Sequence, residues 1–146
     1  MKPDIPIEHE FVDFVPKERE DGKLYVSIKY ATAVHNCFCG CRTKVVTPIT
    51  PADWQLTFDG DTISLYPSVG NWSFPCRSHY WIKRDRVVWA GDMSEEDIEV
   101  GRARDRAARN AYFGVQPEQT VPRAKPAPVK KSHRKKWVFW GWLKGR

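Results

Sequence analysis

The segment Leu24-Tyr25-Val26-Ser27-Ile28-Lys29-Tyr30 alternates in hydropathy, placing Leu24, Val26, Ile28 and Tyr30 on one face of a half-buried strand. The chain then passes through residues 31–34 into His35-Asn36-Cys37-Phe38-Cys39-Gly40-Cys41. Residues 54–58 and 62–66 flank Asp59-Gly60-Asp61, a hairpin signal in which Gly60 supplies the positive φ. Residues 80–83 and 87–90 flank Arg84-Asp85-Arg86, a second hairpin. Between the hairpins, residues 67–79 combine turn formers with reactive side chains.

The periodicity changes after residue 93. Ser94 followed by Asp97 is a capping box, opening a helix that should run to about Phe113 with Gly114 as its stop. Its charges are acidic first and basic last, as the helix dipole prefers. Its apolar face is thin (Ile98, Ala103, Ala107, Ala111, Tyr112), which predicts light packing on the sheet. Pro117, Pro122, Pro126 and Pro128 then read as an extended linker. The expected organisation is a β domain over 1–93, a helix over 94–114, a Pro-rich linker over 115–129 and a basic-aromatic tail over 130–146. The fold class is α+β: a small, mainly antiparallel β domain with a zinc knuckle, one C-terminal helix and a disordered or docking tail.

Charge sharpens this division. The 146 residues carry a formal net charge of +6, but residues 122–146 alone contribute +9 and the preceding body sums to −3. A basic isoelectric point would suggest nucleic-acid binding; here the basicity belongs to the tail, so nucleic acid is not the expected partner of the body. No apolar run approaches the roughly 18–20 residues that span a bilayer. Met1-Lys2-Pro3-Asp4 opens into acidic residues without an apolar signal core, so a cytoplasmic location is expected, with the cysteines as thiols or metal ligands.

Cys37, Cys39 and Cys41 alternate around Gly40, and Cys76 lies 35 residues beyond Cys41. A tetrahedral zinc site needs four thiolates at about 2.3 Å from the ion, and a compact knuckle completed by a distant cysteine provides them. The spacing is not the common C-x2-C pair, and His35 or His79 could substitute if one cysteine points away. Three cysteines in five residues are hard to explain as apolar packing alone. The expected site is closed and structural.

Cys76 neighbours Ser78 and His79, so a fixed Cys76 holds that segment still. Adjacent residues of a strand face opposite ways, which separates Ser78 from His79. Ser68, on the turn over 67–71, can reach His79 across the loop. Gly70 and Asn71 could supply an oxyanion site, and Asp59, Asp53 or no acid at all could orient the imidazole. Spacing alone favours a plainer reading, in which Ser68 and Ser78 satisfy turn backbone and His79 is packed or metal-bound. His9 and His133 read as solvated.

Taken together, Tyr30–Cys41 with its Cys-Phe-Cys-Gly-Cys knuckle, Trp54-Gln55-Leu56-Thr57-Phe58-Asp59-Gly60, Pro67-Ser68-Val69-Gly70-Asn71-Trp72 and Pro75-Cys76-Arg77-Ser78-His79-Tyr80-Trp81-Ile82 resemble one bacterial family. That family is known mainly as a domain of unknown function. It is similar to members encoded beside ubiquitin-like proteins, an adenylating activating enzyme and a conjugating-enzyme-like protein. The resemblance spans about residues 10–91 and leaves out the helix and tail. It implies a metal-holding domain of a ubiquitin-like conjugation pathway, in the role of the deubiquitinase-like peptidase that trims or removes the tag. The ubiquitin-like protein and its activating and conjugating enzymes are the implied partners. Where the family often has a second glycine after the knuckle, this chain has Arg42, which should alter the turn more than the metal site.

On that background a serine-type peptidase using Ser68, His79 and Ser78 competes with three others. One uses a cysteine nucleophile with His35 or His79 as base; a zinc hydrolase is weaker, for lack of an open ligand position. The third is a non-catalytic zinc adaptor. The tail, Lys130–Lys136 followed by Trp137-Val138-Phe139-Trp140-Gly141-Trp142, suits a protein groove or a membrane surface, with peripheral attachment, better than nucleic acid.

Overall fold

The computed structural model describes residues 2–114; the linker over 115–129 and the tail over 130–146 lie outside the described residues. In chain order the elements are β1 (Ile5–Pro6), β2 (Glu8–Phe11), β3 (Lys23–Ser27), β4 (Thr32–Asn36), β5 (Lys44–Pro48), β6 (Gln55–Phe58), β7 (Ile63–Gly70), β8 (His79–Lys83), β9 (Arg86–Trp89) and α1 (Glu95–Phe113). They form a five-stranded sheet in the order β1-β9-β8-β7-β6 and a four-stranded sheet in the order β2-β3-β4-β5. All pairings are antiparallel except β2 with β3. Leu24, Val26 and Ala33 of one sheet share a core cluster with Ile63, Leu65 and Ile82 of the other, and all six are buried. The class expected from the sequence, a mainly antiparallel β domain with one C-terminal helix, is what folds.

The first strand differs from its predicted pattern. β3 stops at Ser27, and Ile28 and Tyr30 are 66% and 54% exposed in a turn that closes through Ala31 N–H to Ile28 C=O, 3.1 Å. Meanwhile Tyr25 and Ser27 are buried as well. The N-terminal segment covers that second face: the Ser27 hydroxyl donates to Asp13 C=O at 3.0 Å, and Glu20 N–H donates to the Tyr25 oxygen at 3.1 Å. Alternation measures one-sided burial, so a strand covered on both faces escapes it. β4 and β5, which carry the cysteine knuckle between them, have no counterpart among the strands expected from the sequence.

Both hairpins form. Gly60 takes φ 98°, and the second turn is the two-residue Arg84-Asp85, both with positive φ. Asp85 accepts from Ile63 N–H at 2.9 Å and contacts His9 Nδ1 at 2.7 Å, tying β7, β9 and the N-terminal segment together. β7 is longer than predicted. Leu65 pairs with Ile82 but Val69 pairs with Tyr80, so two extra residues bulge from β7 between them. Pro67 and Ser68 therefore lie on an irregular strand rather than in a turn. A bulge tolerates a residue that cannot donate to a ladder, and it re-aims the side chain beside it.

α1 starts and stops where its caps predict: Ser94 Oγ accepts from Asp97 N–H, and Gly114 closes it in the left-handed region. Of its side chains only Ile98 is buried. Polar contacts hold the rest: Arg77 to Glu95 at 2.7 Å, Arg102 to Ser73 at 3.1 Å and Arg109 to Asp53 at 3.2 Å. No helix among the described residues is long and apolar enough to cross a membrane.

Core and helix should therefore respond differently to truncation. Ile82→Ala, at the centre of the shared core, should destabilise the domain by about 2–5 kcal/mol in denaturant titrations. Ile98→Ala should release the helix, read as faster amide exchange over α1, while β7 and β8 stay protected.

Candidate active site and metal centre

The four cysteines arrive from different sheets. Cys37, Cys39 and Cys41 occupy the connection from β4 to β5; Cys76 ends the loop leading to β8. Their sulfurs lie within 4.8 Å of one another. Cys37 Sγ is 3.4 Å from Cys39 Sγ and 3.9 Å from Cys76 Sγ, and Cys41 Sγ is 3.7 Å from Cys76 Sγ. Four thiolates at about 2.3 Å from one tetrahedral ion would stand about 3.8 Å apart. The cluster could hold a metal ion, and the one-residue spacings do not prevent all four from converging. Gly40 at φ 98° and Arg42 at φ 62° bend the knuckle tightly enough to do it. Arg42 thus occupies, under strain, a backbone conformation that glycine adopts freely, so a glycine would suit this position.

Hydroxyl groups surround the sulfurs. Ser78 Oγ lies 3.0 Å from Cys37 Sγ and 3.5 Å from Cys76 Sγ, and Thr43 Oγ1 lies 3.3 Å from Cys41 Sγ. Hydrogen bonds from Thr43 pull the Cys41 thiol down to about 6, whereas burial pushes Cys39 up to about 12 and raises Cys37. A set in which Cys37 and Cys39 are reluctant to ionise alone would be stabilised by a cation.

His35 is not part of that cluster. It is buried, stacks on Phe38 at 4.3 Å between centroids, and pairs its Nε2 with the Tyr80 hydroxyl at 2.7 Å. Burial holds its imidazole down to about 3, so it is neutral near pH 7. The side chain packs within the core.

His79 stands apart, across β8 from Ser78. Its Nε2 is 2.9 Å from Ser68 Oγ, and its Nδ1 is 2.7 Å from the carbonyl oxygen of Gly91. A carbonyl only accepts, so Nδ1 carries the proton and Nε2 presents a lone pair to the Ser68 hydroxyl. Trp72 lies against the imidazole, 4.9 Å between centroids, and over Gly70, where a Cβ would come within 2.4 Å of Trp72 Nε1. Arg77 covers the Trp72 ring at 5.4 Å. Glycine at 70 is what lets the indole lie there.

The other predicted residues take different places. Ser78 is buried among the cysteines; its Oγ also accepts from the Asn71 side-chain amide at 2.9 Å. Asn71 N–H donates to Ser78 C=O at 2.8 Å, so both donor groups of Asn71 are engaged. Asp59 caps its own turn through Thr62 and Asp61, and Asp53 pairs with Arg109. The imidazole is oriented by main chain. Gly91 carries no sequence signal, because any residue offers that carbonyl, and the Pro67–Trp72 motif gives no sign that Trp72 packs on the imidazole. The helix was assigned no part in the site, yet Asp97, Ile98, Gly101 and Arg102 form a wall of the cleft of about 350 Å³ that holds Ser68 and His79.

The described residues thus place a serine–histidine pair in a cleft of a β scaffold, beside a four-cysteine cluster that could hold a metal ion. The family described as "Bacterial ubiquitination-like system serine protease (BubE)" matches residues 11–90, and this chain belongs to it. No curated protein and no solved structure is similar enough to match.

Two substitutions separate ligand from turn. Cys76→Ser should lower the bound metal per chain, measured by elemental analysis, and destabilise the domain. Arg42→Gly should leave metal content unchanged and raise stability by up to about 1 kcal/mol, by relieving the left-handed strain.

Proposed function

We propose that this protein is a cytoplasmic peptidase that processes or deconjugates a bacterial ubiquitin-like protein, with Ser68 as nucleophile, His79 as general base and zinc as a structural ion on Cys37, Cys39, Cys41 and Cys76. The carrying observation is the ordered contact Gly91 C=O to His79 to Ser68, which sets the one tautomer that can take the serine proton. Its family membership supplies the chemistry class and the pathway.

In this reading Ser68 Oγ attacks the carbonyl carbon while His79 Nε2 accepts its proton. The Gly70 N–H donates to the developing oxyanion. The imidazolium then returns the proton to the leaving nitrogen or oxygen, and water repeats the sequence to free the acid and restore Ser68. The orienting partner is a neutral carbonyl, so it fixes the ring without adding an anion's attraction for the imidazolium. Ser78 supports the site from the zinc side: it holds Cys37 and Asn71 in place. Cys37, Cys39, Cys41 and Cys76 together would leave a bound zinc no open position, so it would supply a clamp between the two sheets rather than an activated water. The activating and conjugating enzymes of the pathway are the expected partners, and residues 130–146 a docking segment for a protein or membrane surface.

A ubiquitin-like precursor with residues beyond its terminal glycine tests the reading. Wild type should cleave it; Ser68→Ala and His79→Gln should each reduce kcat by at least about 10³-fold with metal content intact. Ser78→Ala should retain cleavage and weaken metal retention about 10–100-fold. Cleavage undiminished in Ser68→Ala would overturn the assignment, and absence of cleavage by wild type would favour the zinc adaptor.

A further inference from the structure

The edge of β7 beside Ser68 is uncovered. Asn71 N–H bonds Ser78 C=O, and His79 C=O accepts from Ala90 N–H, so Gly70 and His79 form a non-hydrogen-bonded pair. In an antiparallel ladder such a residue turns its own N–H and C=O away from that neighbour. Gly70 therefore directs both groups to the opposite side of β7, where β6 would be expected to pair. β6 does not reach it: the β6–β7 ladder ends at Gln55 opposite Tyr66. The next residue back, Trp54, donates its N–H to Pro48 C=O at 3.1 Å, which draws the chain away from β7 toward the end of β5. The open stretch lies in the cleft that also holds Ser68 and His79, with Trp54 at one end and α1 as the facing wall. Gly70 is solvent-exposed.

We propose that the acyl side of the substrate binds here as an added antiparallel strand, with the residue bearing the scissile carbonyl opposite Gly70. This rests on Ser68 being the nucleophile. Opposite Gly70, that residue forms a hydrogen-bonded pair: its carbonyl oxygen accepts from Gly70 N–H and its own N–H donates to Gly70 C=O. One glycine thus polarises the bond under attack and fixes the register of the chain that carries it. The recognised ligand is extended main chain, independent of side-chain identity at that residue, and the substrate completes the row that β6 leaves unfinished.

Peptide esters test this with the full-length protein. Acetyl-trialanine p-nitrophenyl ester is compared with analogues in which one amide N–H is replaced by oxygen, and each rate is normalised to hydroxide hydrolysis of the same ester. Replacement at the alanine bearing the scissile carbonyl should lower kcat/KM roughly tenfold, because an acceptor loses its donor. Replacement at the preceding alanine, whose N–H would point away from β7, should change it less than about threefold. Ser68-dependent hydrolysis that is indifferent to both replacements, or sensitive only to the second, would overturn strand addition and leave the nucleophile assignment standing. Hydrolysis unaffected by Ser68→Ala would overturn both.

Discussion

The convergence of four cysteine sulfurs from two sheets is the constraint on which the rest of the site depends. Cys37, Cys39 and Cys41 belong to the connection after β4, and Cys76 to the loop before β8, so closing the cluster adds a link between sheets that also meet through apolar packing and the His35–Tyr80 and His9–Asp85 contacts. Cys76 also sets where its near neighbours lie. Ser78, two residues on, is drawn between two sulfurs and the Asn71 amide; that directs His79 to the opposite side of the strand. The metal cluster and the candidate dyad are thus consecutive consequences of one placement, separated by a single residue of pleat.

Ser68 reaches the imidazole by a different route. A bulge of two extra residues in β7 carries it out of the regular ladder, and Val69 then resumes pairing with Tyr80. Trp72 folds back over Gly70 onto the imidazole, leaving His79 bounded by an indole, a serine and a carbonyl. Among the described residues the hydrogen-bond partners of the His79 imidazole are Gly91 C=O and the Ser68 hydroxyl rather than a carboxylate. Two aspartates close in sequence to the site, Asp53 and Asp59, are engaged by Arg109 and by a turn. The same tautomer is obtained from Gly91, at the lesser electrostatic strength of a dipole.

Much of this was legible in the residues. The helix limits followed from Ser94 and Gly114, and the two hairpins from Asp59-Gly60-Asp61 and Arg84-Asp85-Arg86, because caps and tight turns are local chemistry. The cysteine cluster followed from ligand type and proximity. The flanking strand β4 and the true end of β3 did not, because burial on both faces erases the alternation that marks a strand. The separation of Ser78 from His79 was readable from the pleat. Gly91 and the open edge of Gly70 were not, since both act through main chain, which every residue shares. The role of α1 was hidden for another reason: it docks by Arg77, Arg102 and Arg109 rather than by an apolar stripe, and its charged surface reads as solvated.

The central claim, that Ser68 is activated by His79, is tested most directly by reaction with a fluorophosphonate followed by peptide mapping. The account predicts a single adduct on Ser68 in the metal-loaded protein, lost in His79→Gln, with Ser78 and all four cysteines unmodified. An adduct on Ser78 or a cysteine, or labelling of Ser68 undiminished by His79→Gln, would contradict it.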